Sequence, residues 1–365
     1  MTDLRQSPLH AEHEKLGATF IPFGPWNMPL KYGNELAEHR AVRGTCGIFD
    51  LSHMGEVWVK GPDAGAFLDY ALISRLSTIK VGKAKYTMIV AASGGIIDDL
   101  IVYRTDLDTF LVVPNAGNAE VVAKELQDRA AGFDVALDDA SAATALIAVQ
   151  GPNAQALILE LAADPQTVTE LGYYAAVPAV IADHDVLLAR TGYTGEDGFE
   201  LFIPAEKATD LWQKITAAGG PHELVPCGLA ARDSLRLEAG MPLYGNELTL
   251  QTTPLHAGLS VLVAKEGDFI GKDALSTVSP ERVLVGLSSS GRRAARSHAL
   301  LFDATGTEVG EVTSGQPSPT LGHPIALAYV DVAHSDSGTA LEAEISGKRY
   351  PFEVVALPFY SRKRT

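Results

Sequence analysis

An internal repeat constrains the fold of this 365-residue chain more than any other feature of its sequence. Residues 57–64 and 147–154 each pass from a short apolar segment through Gly-Pro into a helix-forming stretch, at an offset of 90 residues. The same offset relates residues 110–114 to residues 200–204. Because several matches share one offset, the sequence predicts a duplicated structural unit.

Each copy of the repeat has the pattern of a β-α-β-β-α block. A further strand precedes the second matched strand across a turn, at residues 96–104 and 186–190. A helix follows that matched strand, at residues 119–129 and 205–217. This order is typical of α+β folds of the ferredoxin-like class. Since duplicated units often hold a ligand between them, we expect a binding site there.

The last quarter of the chain has a different pattern, in which turn residues separate short strand-like segments. These segments are residues 283–287, 308–313, 325–330, 341–345 and 352–357. Strands of this length and spacing indicate a small β-barrel or sandwich, preceded by a linker at residues 276–282. We therefore predict an N-terminal α+β domain, a second related α+β domain and a C-terminal β-barrel domain, at residues 1–140, 141–275 and 276–365.

The composition argues against several classes of function. There are 29 lysine and arginine residues against 45 aspartate and glutamate residues, so the net charge is −16, which disfavours nucleic-acid or anionic-membrane binding. Two cysteines are too few for a disulfide scaffold, and the ten histidines are scattered without a His-Glu-x-x-His motif. We expect no metal, no nucleic-acid partner and no membrane partner. Residues 1–5 lack the apolar core of a signal peptide, so we expect a reducing cytoplasmic setting.

Residues 94–103 contain two adjacent carboxylates inside an apolar run. Two glycines predict a tight turn, and the following segment, rich in Ile and Val, predicts a buried strand. Since side chains alternate along a strand, Asp98 and Asp99 must point to opposite faces. The carboxylate that faces the interior needs a donor, a cation or a ligand. This pattern is consistent with two structural carboxylates and also with one carboxylate that has a functional role.

Two later segments are also candidates for a binding site. Residues 190–201 place three glycines between two strands, which is typical of close backbone approach to a ligand or of an elaborate hairpin loop. Residues 226–245 begin as a helix that we expect to be buried, and a buried Arg232 requires an anion. Asp233 or a carboxylate of a ligand could be that anion.

With these motifs, the sequence resembles the T-protein (aminomethyltransferase) family of the glycine cleavage system. The resemblance runs through nearly the whole chain and is carried by residues 26–30, 47–54, 94–102, 190–201, 228–245 and 312–321. One departure is Pro25, where members of the family usually have glycine before the tryptophan. The resemblance implies two related α+β portions and a C-terminal barrel, arranged around a central folate site.

The resemblance also implies a reaction. The family takes an aminomethyl group from the dihydrolipoyl arm of the lipoylated H-protein and delivers its carbon to tetrahydrofolate, giving 5,10-methylenetetrahydrofolate and ammonia. Tetrahydrofolate is therefore expected as co-substrate and H-protein as partner, in glycine catabolism and one-carbon metabolism.

The site residues of the family carry over by position. The second Asp of the Gly-Gly-x-x-Asp-Asp motif, Asp99, resembles the catalytic residue, which acts as a base or by positioning. Glu200 resembles the Glu that takes the pteridine ring, and Arg232 resembles the Arg that contacts folate. Further pocket positions of the family are matched by Met54, Tyr86, Tyr103 and Asn115.

Three alternative functions must be compared with this reaction. Folate-binding proteins that assist iron–sulfur assembly have a cysteine motif where this chain has residues 190–197, and no cysteine is present there. A folate-dependent demethylase of a small methylated compound would keep the glycine and arginine segments but alter the pocket. A folate-binding module without catalysis is the third alternative.

Overall fold

The computed structural model describes residues 4–264 and 266–362 of the chain. Residues 1–3, which belong to the segment considered for a signal peptide, lie outside the described residues, as do residues 265 and 363–365. Two α+β units face each other, and a closed β-barrel follows them. The predicted fold class is therefore confirmed.

The first sheet is built from the first copy of the repeat. Its five antiparallel strands lie in the order Lys83–Val90, Ile96–Asp106, Thr109–Val113, Val57–Lys60 and Ala136–Asp139. Helices Ala64–Ala71 and Ala119–Arg129 pack against one face of this sheet. The last four strands in that order have the ferredoxin-like arrangement, and Lys83–Val90 is an additional edge strand.

The second copy of the repeat forms a six-stranded sheet of the same kind. Its strands lie in the order Ala176–Ile181, His184–Ala189, Gly198–Pro204, Thr144–Gln150, Cys46–Asp50 and Leu224–Pro226. Helices Ala154–Leu161 and Ala208–Ala218 cover its outer face. Cys46–Asp50 precedes the first copy in sequence, so a segment from the start of the chain completes the second sheet. The boundaries at residues 140 and 275 stay a prediction.

The strand register supports the repeat but corrects its offset by one residue. Val57 pairs with Val112 in the first sheet, and Ile147 pairs with Leu201 in the second. The first strands of the two units therefore differ by 147 − 57 = 90 residues, whereas their partners differ by 201 − 112 = 89. The expected offset of 90 was wrong for the later strand.

The two sheets pack with their inner faces toward each other, so the order of layers is helices, sheet, sheet, helices. Tyr103 and Leu111 from the first sheet and Leu146 and Phe202 from the second share one buried cluster. Helix Leu229–Glu238 closes one side of this cluster with Ala231 and Leu235, and is buried as expected. Because it also carries Leu237 into contact with the barrel, this helix joins all three parts.

The C-terminal barrel is closed by six strands. They lie in the order Arg282–Ser288, Pro324–Asp331, Glu308–Pro317, Leu300–Phe302, Ala340–Ile345 and Lys348–Val355. The sequence predicted five of them and missed Leu300–Phe302, which is three residues long and pairs with the strands on both sides. Its short length left no periodic pattern to detect.

The remaining elements surround these units. A small sheet contains Arg5–Gln6, Thr19–Phe23 and Trp26–Lys31, and the other helices are His10–Lys15, Glu35–Gly44, Pro165–Glu170 and Lys272–Thr277. In the described ranges, none of the helices has both the length and the apolar character needed to cross a membrane.

Candidate active site

A cavity of about 530 Å³ opens where the inner faces of the two sheets meet helix Leu229–Glu238. All seven site residues predicted from the sequence line it, namely Met54, Tyr86, Asp99, Tyr103, Asn115, Glu200 and Arg232. Six of them lie on strands of the two sheets or in the turns that follow strands, and Arg232 lies on helix Leu229–Glu238. The expectation of a site between the copies therefore agrees with the geometry.

The two adjacent carboxylates have different surroundings, as alternation along strand Ile96–Asp106 requires. Asp98 is fully buried and accepts hydrogen bonds from the backbone N–H of Asn115 at 2.9 Å, from Asn115 Nδ2 at 2.9 Å and from Asn118 Nδ2 at 2.8 Å. Asp99 lines the cavity and accepts from Tyr86 Oη at 3.0 Å and from Asn115 Nδ2 at 2.8 Å. Asn115 thus holds both carboxylates in place.

Burial raises the pKa of both carboxyl groups. The charge of Asp99 raises the pKa of Asp98 further, whereas the amides of Asn115 and Asn118 lower it. The hydrogen bonds from Tyr86 and Asn115 oppose the effect of burial at Asp99 but do not cancel it. A carboxylate whose pKa is raised toward neutrality is a better proton acceptor than an ordinary surface carboxylate.

Glu200 lies on strand Gly198–Pro204 and lines the cavity. It belongs to the second copy of the repeat, whereas Asp99 belongs to the first. Its Oε2 accepts hydrogen bonds from the hydroxyl groups of Thr191 and, at 3.4 Å, Tyr103. Oε1 accepts no hydrogen bond from the described part of the chain. Burial raises the pKa of Glu200, and the Thr191 hydroxyl and the Arg232 charge act against it. One carboxylate oxygen is therefore available to a donor on a ligand.

Arg232 stacks over the ring of Tyr193, with its guanidinium carbon 4.8 Å from the ring centre. Among residues 4–264 and 266–362 it has no ion-pair partner. The neighbouring Asp233 instead pairs with Arg236 at 2.8 Å, and Glu247 pairs with the same arginine at 3.0 Å. Asp233 is therefore not the anion that the sequence left open for Arg232. Burial lowers the pKa of this guanidinium, and the charge of Glu200 opposes that shift.

The sequence analysis missed several residues of the cavity wall, among them His53, Tyr174, Tyr193 and Tyr244. His53 and Tyr193 lie inside segments that carried the resemblance, at residues 47–54 and 190–201, so proximity to Met54 and Glu200 was the available signal. Tyr174 has a positive φ of 53°, and no local pattern indicates its role. Tyr244 donates from its hydroxyl to Ile96 O at 3.2 Å, a contact between segments far apart in sequence.

The chemical character of the cavity fits a planar, partly polar ligand with an anionic part. Its volume and its mixture of aromatic, aliphatic and few polar side chains are typical of small-molecule sites. Glu200 Oε1 can accept from N–H donors, and the unpaired guanidinium of Arg232 can bind an acceptor or an anion. In the described ranges, no group of three or more His, Cys, Asp or Glu side chains is placed to hold a metal ion.

Fold and site together define an α+β protein with a ligand cavity between duplicated units and a buried carboxylate at that cavity. Residues 9–267 match the family model described as the GCVT N-terminal domain, and residues 282–361 match the glycine cleavage T-protein C-terminal barrel domain. The chain therefore belongs to the glycine cleavage T-protein family.

Individual relatives agree with this assignment. The aminomethyltransferase of Corynebacterium aurimucosum is 58% identical over 371 residues, which cover both chains completely. That of Streptomyces avermitilis is 54% identical over 369 residues, or 99% of this chain and 98% of the relative. The crystal structure of glycine cleavage system aminomethyltransferase T from Bartonella henselae has 39% identity and a TM-score of 0.91 over 98% of each chain. The resemblance drawn from the sequence is confirmed, and the aminomethyltransferase function is supported over the three alternatives.

Proposed function

We propose that this protein is the aminomethyltransferase of a glycine cleavage system, and that it moves the aminomethyl carbon of a lipoyl-bound intermediate to tetrahydrofolate. The lipoyl group belongs to a carrier protein, the H-protein, which we propose as partner. In the balanced reaction two carbon–nitrogen bonds to tetrahydrofolate form while the carbon–sulfur and carbon–nitrogen bonds of the aminomethyl group break. The hydrogens of the two folate N–H groups leave on the thiol and on the ammonia. The products are 5,10-methylenetetrahydrofolate, ammonia and the dihydrolipoyl thiol.

Tetrahydrofolate, when bound, would supply the nitrogen atoms that accept the one-carbon unit. Glu200 and Arg232 are the residues that we propose to hold it, because one has a free carboxylate oxygen and the other a cation with no ion pair in the described chain. A carboxylate oxygen that has no donor of its own can accept a hydrogen bond from an N–H group of the ring. Met54, Tyr86, Tyr103 and Asn115 complete the proposed contact surface.

Asp99 is the proposed catalytic residue. Its carboxylate is fixed in the cavity by Tyr86 and Asn115, so its orientation does not depend on solvent. From this position it can orient the accepting amine and take up the proton that the amine loses. Its negative charge can also stabilise positive charge that develops at the transferred carbon.

We further propose that the protein works in the cytoplasm. Cys46 and Cys227 are both buried free thiols. Free thiols are typical of a reducing compartment.

The observation that carries the proposal is the convergence of all seven expected residues on one cavity between the two repeats. The test is a turnover assay with aminomethylated H-protein and tetrahydrofolate, with ammonia and methylenetetrahydrofolate as the measured products. We expect both products in equal amounts, with turnover unchanged after dialysis against a chelator. Release of ammonia that is independent of tetrahydrofolate, or activity that depends on added zinc, would contradict the proposal.

A further inference from the structure

His53 lines the cavity, but none of the roles proposed above uses it. It lies in the turn after strand Cys46–Asp50, which is closed by a hydrogen bond from the N–H of Met54 to Leu51 O at 2.9 Å. The N–H of Leu51 donates to Leu146 O at 2.8 Å, which fastens the turn to the second sheet. The imidazole is therefore held at a fixed place in the cavity wall.

The two ring nitrogens of His53 have different surroundings. The residue is only 3% exposed, and Nδ1 is shielded from solvent without a hydrogen-bond partner in residues 4–264 and 266–362. Phe23 packs edge-on against the ring, with 5.4 Å between the ring centres, and offers no acceptor. Since the ring borders the cavity, Nε2 is the nitrogen that is left to meet a bound molecule.

The position of the proton on His53 follows from these surroundings. A neutral imidazole has one N–H, and placing it on Nδ1 would bury a donor without an acceptor. A lone pair without a partner is tolerated better than an orphaned N–H, so the proton belongs on Nε2. Burial and the nearby charge of Arg232 lower the pKa of His53 to about 4, so the ring is neutral at pH 7.

The cavity therefore presents two kinds of polar group to a ligand. Glu200 offers a carboxylate oxygen that accepts, whereas Arg232 and the Nε2–H of His53 offer donors. A pterin ring has the complementary edge, with a 2-amino group and an adjacent ring N–H as donors and a 4-oxo group as acceptor. We propose that His53 is a positioning residue that donates a hydrogen bond from Nε2 to the 4-oxo group of the bound pterin. This inference rests on the proposed function.

The proposal predicts a specific discrimination between two ligands that differ at the 4-position and, as a consequence, at the adjacent ring nitrogen. Toward His53, reduced folate presents an acceptor and its reduced 4-amino-4-deoxy analogue presents a donor. The analogue also lacks the neighbouring ring N–H, but this loss is the same for wild type and for variants of His53, so the change in preference between them reports on His53. Calorimetric titration of the wild type should give tighter binding of the 4-oxo form. His53→Phe should reduce that preference by about ten-fold, the equivalent of one lost hydrogen bond of about 1.4 kcal/mol. The KM for tetrahydrofolate should rise more than kcat falls.

Two further variants separate this role from a structural one. His53→Gln places an amide N–H near the position of Nε2 and should recover part of the preference. His10→Phe is the matched control, because His10 also has a shielded Nδ1 without a partner in the described chain but does not line the cavity. It should leave the preference unchanged.

The outcomes that overturn the proposal are distinct from those that overturn the function. If folded His53→Phe keeps the wild-type ratio of the two affinities, the positioning role is wrong while tetrahydrofolate binding stands. If the wild type binds neither ligand, the proposed function fails and the inference about His53 fails with it.

Discussion

Asp98 and Asp99 are chemically identical neighbours whose difference arises from the strand that carries them. Alternation along the strand could be predicted from the sequence, and so could the need of the inward residue for donors. The donors themselves could not, because Asn115 and Asn118 lie 17 and 20 residues away and meet Asp98 only after the hairpin has folded. The resemblance, rather than the pattern, indicated which of the two lines the cavity.

The first prediction at this scale separates the two carboxylates. Asp99→Asn removes a charge in the cavity, so turnover should fall by roughly ten- to ten-thousand-fold, the range for a positioned acid–base or electrostatic group. Tetrahydrofolate affinity should change much less, because such a group acts mainly in the transition state. Steady-state turnover with aminomethylated H-protein, beside calorimetric binding, measures both quantities.

Asp98→Asn is the matched control for that experiment. The new amide group would face the donors of Asn115 and Asn118, so we expect a loss of stability of about 1–3 kcal/mol with a smaller change in turnover. Thermal melts of both variants report the stability. If the two variants lose the same amount of turnover, and if that loss follows the decrease in their melting temperatures, then the catalytic assignment of Asp99 is wrong.

The second prediction at the residue scale concerns the two charged groups that we propose to hold tetrahydrofolate. Glu200→Gln replaces one acceptor oxygen with a donor, and Arg232→Ala removes a cation that has no ion pair in the described residues. Each change should weaken tetrahydrofolate binding by about 1–3 kcal/mol, as expected for a hydrogen bond to a charged group. Calorimetry that gives wild-type affinity for both folded variants would refute these roles.

At the scale of elements, the sequence predicted most helices and strands but placed some ends wrongly. The helix after Gly-Pro in the first copy does not begin at Pro62, because residues 61–63 form a turn and the helix begins at Ala64. Gly61 in this turn has a φ of 137°, a backbone conformation that residues other than glycine rarely adopt. Helix 205–217 begins instead at Ala208, after a short 3₁₀ turn. Local turn geometry decided both ends, and hydrophobic spacing does not report it.

The turn before the carboxylate strand gives the prediction at this scale. A Cβ atom on Gly95 would lie 2.0 Å from Leu250 O, so Gly95→Ala must displace the segment at residues 249–252. That segment accepts the N–H of Ile96 at Thr249 O and Thr252 O, at 3.1 and 3.0 Å. We expect a loss of stability of about 1–3 kcal/mol, measured by thermal or chemical unfolding, and reduced turnover.

Gly33→Ala is the control, since a Cβ atom there has no neighbour within 4 Å and the glycine has no positive φ. Its melting temperature should stay close to that of the wild type. If Gly95→Ala is equally harmless, then the contact with residues 249–252 does not constrain the start of the carboxylate strand.

At the scale of the whole molecule, the sequence predicted the parts but not how they are joined. The repeat indicated two similar units, yet nothing in it indicated that Cys46–Asp50 would cross into the second sheet. Edge pairing depends on which strands are left uncovered after folding, which is a property of the assembled units. The contact between the barrel and helix Leu229–Glu238 is likewise long-range, and polar side chains form much of it.

Glu238 is the centre of that contact. It is buried at the end of its helix and accepts from Arg43 Nη2 at 2.9 Å and from Thr320 on the barrel, at 3.0 Å for the backbone N–H and 2.7 Å for the hydroxyl. His39 Nε2 lies 3.1 Å away, and the hydroxyl of Ser318 also donates. Burial alone would raise the pKa of Glu238, but His39, Ser318 and Thr320 outweigh it and lower the pKa to about 2.

The last prediction is that Glu238 couples the barrel to the α+β units. Glu238→Gln removes the charge that Arg43 and Thr320 require, and should cost about 3 kcal/mol at pH 7. Because the folded pKa is depressed, the contribution of this carboxylate is present above its ordinary pKa of 4.5 and is lost as the pH falls toward 2. The difference in melting temperature between wild type and variant should therefore narrow over that range.

Scanning calorimetry at pH 7 should show the barrel of the variant melting apart from the rest of the chain. Glu344→Gln, an exposed change on the barrel, is the control and should melt like the wild type. A Glu238→Gln variant that melts in one transition at the wild-type temperature would contradict the coupling.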